Sequence, residues 1–405
     1  MTDLSVNFAG LKLKNPIVAD AGPIAMDPKT IGRCIDAGVG AVILRSITPD
    51  ERYAVKTRPG HWFLDRLGEA RTMMHIAGGL WTPEQGINYT KEVRPLAERE
   101  RVKLIGSIYF NGPWTGISPH PPVTPPVDDY LRDLALRLEE VGVDAIEIAI
   151  SCPLALTPAK LTIFHKGAIP LVVKTLAGKL EIPFWIKLGY HEDAIWLEET
   201  RAIGDMGMGA IHTLPDTRAT FVDVDTGRPP VSMPMTYGRW KRGIACYITY
   251  LNWANTKLQV LSSGGVWTWR DAVERLMCGA TLVGIETAIQ YSGYGLFRKI
   301  IRGIDDFMVR KQYKKVQDLV GVAAPHIYNI NEFLKAYYQC AVPNESVKTS
   351  VDSSKCTGCG MCQACIFGAV TMNGKIAKVD LDLCERCGVC ASICPTGAIT
   401  VEKIT

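Results

Sequence analysis

Eight of the thirteen cysteines of this chain lie in two runs close to its C-terminal end. The runs are Cys356, Cys359, Cys362 and Cys365, then Cys384, Cys387, Cys390 and Cys394, with Pro395 directly after. Three thiolates at two-residue gaps can hold three irons of one cubane cluster, while the fourth holds the other cluster. The array therefore predicts two 4Fe–4S clusters, one on Cys356, Cys359, Cys362 and Cys394 and the other on Cys384, Cys387, Cys390 and Cys365.

The first run departs from the usual spacing. Only two residues separate Cys362 from Cys365, whereas three separate Cys390 from Cys394, so the role of Cys365 as a ligand stays open. Zinc ions and disulfide bonds are the alternatives to clusters. The N-terminus, Met-Thr-Asp-Leu-Ser-Val, has neither a basic region nor an apolar run. We therefore expect a cytoplasmic protein with reduced thiols, and no membrane association.

Composition bounds the number of domains. With 405 residues, 47% of them hydrophobic, the chain can bury a barrel-sized core and still carry a small module. We expect a barrel domain over residues 1–310, a helical extension and polar linker over 311–354, and a cluster module over 355–405. The net charge of +4 points to neither nucleic acid nor a membrane surface as a partner.

Short apolar runs alternate with helical patterns as far as about residue 310, which is typical of parallel strands joined by helices. The helical pattern is clearest at Leu131, Leu134 and Leu138, and Gly142 can end that helix. Eight such units predict an α/β fold, a (β/α)8 TIM barrel. The predicted strands are Ile17–Asp20, Ala41–Arg45, Leu104–Tyr109, Ala145–Ile150, Phe184–Leu188, Ala210–Thr213, Gln259–Ser262 and Leu282–Ile285.

Three connections after the predicted strands are long, and in a barrel such loops form the functional face. The loop after the second strand runs from Ser46 to about Tyr89, and the loop after the sixth runs from Leu214 to Gly238. The loop after the third strand is rich in proline. We interpret these loops as lids or binding surfaces, with a stiff spacer as the alternative for the proline-rich one.

Several residues at the predicted strand ends can carry chemistry. Gly264 and Gly265 follow strand seven, and Glu286 and Thr287 follow strand eight, where barrels commonly bind phosphate. They predict a phosphate-bearing cofactor, with simple turn glycines as the alternative. Lys187, in an apolar run at the end of strand five, either faces the cofactor as a cation or extends to solvent.

The rim has three further candidates. The thiol of Cys152, after strand four, can serve as an acid or base, and a small buried apolar group is its alternative role. His212 and Arg45 end strands six and two. For His212, a structural, hydrogen-bonded histidine is the alternative.

In these features the chain resembles the iron–sulfur/FMN subunit of bacterial dihydropyrimidine dehydrogenase and the dihydroorotate dehydrogenase family, over essentially its whole length. The resemblance includes Ser-Cys-Pro at 151–153, Ile-Lys-Leu at 186–188 and Gly-Gly-Val-Trp-Thr-Trp at 264–269, followed by the cysteine runs. It implies an FMN in the barrel mouth, at which the thiol of Cys152 handles a proton while a hydride moves to or from carbon. It assigns the FMN phosphate to Gly264, Gly265, Glu286 and Thr287, the ring to Ala19, Ala21, Arg45, Ser46 and Lys187, further cofactor contacts to Ser107 and Gly238, and the catalytic acid/base role to Cys152. We add His212 and Arg45 as further candidate catalytic residues.

The substrate positions depart from the family. Where the family binds a pyrimidine with asparagines, this chain has Trp81, Ala149 and His212, with Leu154 just after the cysteine and Thr213 beside the histidine. Such changes remove most hydrogen-bond partners of a pyrimidine, so we predict a larger or less polar substrate in which His212 polarises a carbonyl. Glu286 stands beside the predicted phosphate and would repel it unless its side chain turned away.

The leading hypothesis is an FMN and iron–sulfur oxidoreductase that acts on the CH–CH bond of a small, non-pyrimidine, cyclic or conjugated carbonyl substrate. Its external electron donor would be reduced ferredoxin or an NAD(P)H-oxidising flavoprotein subunit, and we expect a homo-oligomer. One alternative is an electron-transfer subunit of a larger redox complex without an organic substrate of its own. Another is a dihydropyrimidine dehydrogenase subunit with a diverged pocket. The sequence leaves open the substrate, the direction and the donor.

Overall fold

The computed structural model divides into two compact units, Met1–Pro325 and His326–Thr405. It describes residues 2–48, 63–65, 72–74, 80–109, 127–150, 169–189, 193–215, 222, 224–228, 236–327 and 347–403. Within these ranges, none of the helices combines the length and the apolar character needed to pass through a bilayer.

The larger unit alternates short strands with helices. Its strands are β1 (Val6–Phe8), β2 (Leu11–Leu13), β3 (Ile17–Ala19), β4 (Ala41–Ile43), β5 (Phe63–Asp65), β6 (Thr72–Met74), β7 (Lys103–Tyr109), β8 (Ala145–Ala149), β9 (Phe184–Gly189), β10 (Ala210–Leu214), β11 (Thr236–Gly238), β12 (Gln259–Ser263) and β13 (Ala280–Ile285). Its helices are α1 (Pro28–Asp36), α2 (Pro83–Arg99), α3 (Val127–Glu140), α4 (169–176), α5 (Asp193–Asp205), α6 (Arg242–Asn255), α7 (Trp269–Met277), α8 (Thr287–Ser292) and α9 (Gly295–Lys311).

Eight of these strands form a closed barrel in the order β3-β4-β7-β8-β9-β10-β12-β13. All neighbours are parallel, and the ring closes where β13 pairs with β3, with Val283 opposite Ile17. Strands β4, β8 and β13 are buried along their whole length, as expected when helices cover the outside of a parallel barrel. The predicted TIM barrel is confirmed, and each predicted strand end lies within two residues of the observed one.

Helix α2 begins earlier than the sequence predicted. Thr82 accepts a hydrogen bond from the backbone of Gln85, and the Gln85 side chain accepts one from the backbone of Thr82. This reciprocal cap starts the helix at Pro83, so the predicted loop end near Tyr89 is wrong. The prediction for α3 is confirmed, since Leu131, Leu134 and Leu138 are buried and Gly142 follows the end of the helix with a φ of +91°.

Two of the long connections meet in a small antiparallel sheet, which we call the mouth sheet. Strands β5 and β6 come from the connection after β4, and β11 comes from the connection after β10. Strand β6 pairs with both of the others. Because β4 and β10 stand four strands apart in the ring of eight, the mouth sheet joins loops from opposite sides of the barrel. The proline-rich connection, residues 110–126, lies outside the described residues.

The smaller unit is built from two similar halves. Its elements are β14 (Val347–Val351), a 3-10 helix (Met361–Ala364), β15 (Val370–Asn373), β16 (Ile376–Val379), α10 (Val389–Ser392) and β17 (Ile399–Lys403). Strand β14 pairs with β17, and β15 pairs with β16, both antiparallel. Strand β14 falls in the stretch expected to be a linker, because its partner, the strand after the second cysteine run, is not visible from residues 342–354 alone.

Candidate functional site

A cleft lies at the carboxyl ends of the barrel strands, the face where TIM barrels carry their active sites. It encloses about 1210 Å³ of empty space, part of which is open to solvent. Residues at or just after strand ends supply most of its described lining. They include Asp20, Ala21 and Gly22 after β3, Arg45 and Ser46 after β4, Ala149 in β8, Lys187 in β9, Gly264 and Gly265 after β12, and Glu286 and Thr287 after β13.

Part of the cleft wall is bare main chain. Gly264 and Gly265 have φ values of +94° and +77°, which residues with a side chain rarely adopt. A Cβ on Gly265 would also overlap the backbone of Arg242. The buried guanidinium of Arg275 fixes this turn by donating to Ser263 O at 3.2 Å and to Gly264 O at 2.8 Å. A rigid turn without side chains lets backbone N–H groups approach an anion closely.

Glu286 also lines the cleft. Its carboxyl group accepts hydrogen bonds from two side chains of the helix that follows it, α8. Oε2 accepts a hydrogen bond from Thr287 Oγ1 at 3.0 Å, and Oε1 accepts one from Gln290 Nε2. Burial raises the pKa of this carboxyl to about 7, although both hydrogen bonds and the charge of Arg45 act to lower it. The group is therefore partly protonated near neutral pH, which reduces the repulsion expected for a bound phosphate.

The raised pKa of Glu286 predicts how the free energy of unfolding depends on pH. The folded pKa lies above the usual 4.5, so between pH 4.5 and about 7 the folded state holds a proton that the unfolded state releases. This stabilisation is complete below pH 4.5 and is lost as the pH rises through 7. We expect Glu286→Gln to remove that loss, on the order of 3 kcal/mol in the free energy of unfolding by denaturant.

Glu98→Gln is the matched control, because the Glu98 side chain on α2 is 61% exposed. Its free energy of unfolding is expected to follow the wild-type pH profile. If the difference between wild type and Glu286→Gln did not change with pH, the raised pKa would be wrong.

Lys187 reaches the cleft from β9 and lies close to two carboxyl groups. Its Nζ is 3.1 Å from Asp20 Oδ1 and 3.9 Å from Glu147 Oε1. Asp20 lines the cleft, whereas Glu147 is fully buried inside the barrel. Burial alone would raise the pKa of Asp20, but the charge of Lys187 and a hydrogen bond from Ser263 help to lower it to about 2. An ionised carboxylate therefore accompanies Lys187 in the cleft.

His212 lies in the barrel interior and does not line the cleft. Its side chain is fully buried, with Nδ1 2.6 Å from Glu147 Oε2 and Nε2 2.8 Å from Ser263 Oγ. Both ring nitrogens thus have partners within the barrel. This arrangement favours the structural alternative over contact with a substrate carbonyl.

Of the other predicted substrate residues that the structure describes, one lines the cleft and two do not. Trp81 is buried and its indole N–H donates to Met26 O at 3.0 Å, while Thr213 is buried with its hydroxyl directed to Leu261 O. Neither lines the cleft, but Ala149 does. The positions of Cys152 and Leu154 lie outside the described residues.

The predicted cofactor residues largely come together. Ala19 is buried in β3, and Ser107 is buried in β7, where its hydroxyl lies 2.8 Å from Ser46 Oγ. The other nine line the cleft, namely Ala21, Arg45, Ser46, Lys187, Gly238, Gly264, Gly265, Glu286 and Thr287.

Two charged residues of the cleft were missed from the sequence. Asp20 directly follows the apolar strand β3, and that position was a usable signal. Lys241 is only 2% exposed, donates to Pro215 O at 2.7 Å, and lies 4.9 Å from the centre of the Tyr237 ring. No local sequence pattern indicates that Lys241 belongs to the cleft. Its partner Pro215 stands at the other end of the connection after β10, so the contact forms only in the folded chain.

In the smaller unit, the eight cysteines of the two runs lie in two sets of four. Burial raises the pKa of Cys362, and the neighbouring thiols of Cys356, Cys359 and Cys394 raise it further. Burial likewise raises the pKa of Cys390, which has Cys384, Cys387 and Cys365 beside it. Each set takes three thiols from one run and one from the other, in the combination that the spacing predicts.

The short gap in the first run has a structural counterpart. Cys362 and Cys365 are three residues apart at the 3-10 helix Met361–Ala364, and a 3-10 turn contains three residues. Cys390 and Cys394 are four residues apart at the α-helix α10, where a turn contains 3.6. About one turn separates the cysteines in both runs. A tighter helix thus compensates for the missing residue, and Cys365 still joins the set of Cys390.

Comparison with known proteins identifies the family to which this chain belongs. Residues 3–308 match the family described as Dihydroorotate dehydrogenase. The chain belongs to the dihydroorotate dehydrogenase family. Residues 377–400 match a 4Fe-4S binding domain. As a member of the dihydroorotate dehydrogenase family with this second match, the chain is an FMN oxidoreductase with an iron–sulfur domain.

Curated relatives in the dihydroorotate dehydrogenase family are similar along most of the chain. The dihydroorotate dehydrogenase B (NAD(+)) catalytic subunit of Thermoplasma volcanium is 26% identical over 329 residues, which cover 80% of this chain and 99% of the relative. The protein of the same name from Pyrococcus abyssi is 28% identical over 330 residues, or 79% of this chain and 99% of the relative.

Proposed function

We propose that this chain uses FMN and two 4Fe–4S clusters to reduce or oxidise an activated C=C bond in a non-pyrimidine substrate, cyclic or conjugated to a carbonyl. The observation that carries the proposal is the cleft. It combines a bare glycine turn, a lysine and an apolar wall at the functional end of the barrel.

The residues present fit FMN. The backbone at Gly264 and Gly265 is open to a phosphate, and the raised pKa of Glu286 lessens the charge beside it. Lys187 offers a cation to an electron-rich ring, with Ala21 and Ser46 also on the lining. FMN bound there supplies hydride transfer to or from carbon.

The apolar part of the lining supports a non-pyrimidine substrate. Leu80, Tyr109, Ala149, Leu214 and Tyr237 all border the cleft. A pyrimidine needs partners for its ring N–H and carbonyl groups, and the methyl group of Ala149 offers none where the resemblance implies an asparagine. A substrate with a larger apolar surface suits these side chains better.

Cys152 is our candidate acid and base, since it lies three residues after Ala149, which borders the cleft. In the direction of reduction, the thiol gives its proton to one carbon of the double bond while the other carbon accepts a hydride. The π bond is thereby replaced by two C–H bonds, and the thiolate recovers a proton from water. Oxidation follows the same path in reverse.

The two thiol sets support one cluster each. In the set of Cys362, the backbone N–H of Ala398 donates to Cys394 Sγ at 3.3 Å, a contact of the kind that tunes a cluster ligand. Through such clusters, an external donor can pass single electrons to a flavin. Reduced ferredoxin and an NAD(P)H-oxidising flavoprotein subunit are the donors that we propose.

Anaerobic purification and an acceptor screen test the proposal. We expect about eight irons per chain, with FMN bound. The chemically reduced protein is then mixed with unsaturated carbonyl, thioester and heterocyclic compounds, with orotate, uracil and thymine beside them. We expect an unsaturated carbonyl compound to reoxidise it. Reoxidation by the pyrimidines alone would overturn the substrate proposal, and zinc in place of iron would overturn the clusters.

A further inference from the structure

Lys187, one of two lysines in the described lining of the cleft, is accompanied by the negative charge of Asp20. A cation beside an electron-rich ring attracts added electrons, so a lone Lys187 would favour the reduced cofactor. Asp20 Oδ1 lies 3.1 Å from the ammonium, and Asp20 also lines the cleft. A carboxylate in this position cancels much of the attraction.

Contacts from several strands hold Asp20 in place. Its backbone N–H donates to Ile285 O at 3.1 Å, and Oδ1 accepts from Ala21 N at 2.7 Å as well as from Lys187. Oδ2 lies 3.7 Å from His212 Nε2. The carboxylate cannot turn away from the lysine without losing its hydrogen bonds from Ala21 N and Lys187 Nζ, so its charge stays in the cleft.

Burial lets this charge act over a distance. The Asp20 side chain is 6% exposed and that of Lys187 is 13% exposed, so little water screens the pair. Charges in such surroundings interact more strongly than charges in water. Glu147, the other carboxyl group near Lys187, does not line the cleft and lies further from the ammonium.

We propose that Asp20 sets the reduction potential of the bound FMN at a more negative value than Lys187 alone would give. The inference rests on the proposed function, since it needs an FMN whose ring lies near Lys187. Coulomb repulsion between the fixed carboxylate and the added electrons makes the reduced cofactor a stronger reductant. A stronger reductant can transfer a hydride to a less activated double bond.

Asp20→Asn tests the inference, because it removes the charge and keeps the shape. In an anaerobic spectroelectrochemical titration, its FMN is expected to be reduced at a more positive potential. At the wild-type midpoint, we expect the ratio of reduced to oxidised FMN to rise about tenfold, or about 30 mV for a two-electron couple. Asp20→Ala removes the same charge and gives the same test if the asparagine variant does not fold.

Two control variants isolate the effect. Asp20→Glu keeps a carboxylate and is expected to keep a potential near that of wild type. Asp129→Asn removes a charge from an exposed site on α3 and is expected to change nothing.

The outcomes separate the inference from the proposed function. An unchanged potential in FMN-loaded Asp20→Asn, or an equal shift in Asp129→Asn, would overturn the inference and leave the proposed function standing. A wild-type protein that retains no FMN would overturn both.

Discussion

Cys152→Ala is expected to lower turnover with the substrate by about 10²–10⁴-fold, the usual contribution of a positioned acid or base. The hydride can still reach one carbon, but the neighbouring carbon then lacks its proton. Reduction of FMN by the external donor is expected to be unchanged, because that step does not use the thiol. Stopped-flow absorbance separates the two half-reactions, with fast flavin reduction and slow reoxidation by the substrate.

Cys246→Ala is the matched control for Cys152→Ala. Cys246 is a partly exposed thiol on α6 that does not line the cleft, so its loss is expected to leave both half-reactions intact. Undisturbed turnover of the assembled complex with Cys152→Ala would instead support an electron-transfer subunit without an organic substrate of its own.

Cys365→Ser is expected to remove one cluster, so that iron falls from about eight to about four per chain. Cys365 supplies the fourth thiol of the set that contains Cys384, Cys387 and Cys390. FMN is expected to stay bound, because the residues of the cleft belong to the larger unit. Reduction of that FMN by the external donor is expected to fall to background. Iron analysis and flavin absorbance of the same sample measure both effects.

Cys246→Ser serves as the control here, because it changes a thiol in the larger unit and is expected to keep the full iron content. Full iron content in Cys365→Ser would mean that the short gap has removed Cys365 from the ligands. The 3-10 helix would then not compensate for the missing residue.

The barrel and the thiol sets were predictable because their signals are local. An apolar run such as Ala145–Ala149 is recognisable from its own residues, and eight of them in alternation with helices leave few architectures. Cysteine spacing is equally local. Even the start of α2 was available from Thr82 and Gln85, which form a known capping pattern.

The charge arrangement of the cleft was not predictable, because it depends on how distant strands align. Asp20 and Lys187 are 167 residues apart in the chain and meet only through the closed ring. The same holds for His212, whose partners Glu147 and Ser263 come from β8 and β12. Its chain position at a strand end predicted a rim residue, but alternate side chains of a barrel strand point inward, and His212 is one of these.

The mouth sheet makes the connection after β4 and the connection after β10 depend on each other. Strand β11 is held by β6, and these strands arrive on connections that leave the barrel on opposite sides. A deletion in either connection would leave an unpaired strand edge above the cleft, with its backbone groups without partners. Evolutionary change of the mouth sheet is therefore expected to require coordinated change in both connections. New specificities are expected to arise through paired rather than single loop exchanges.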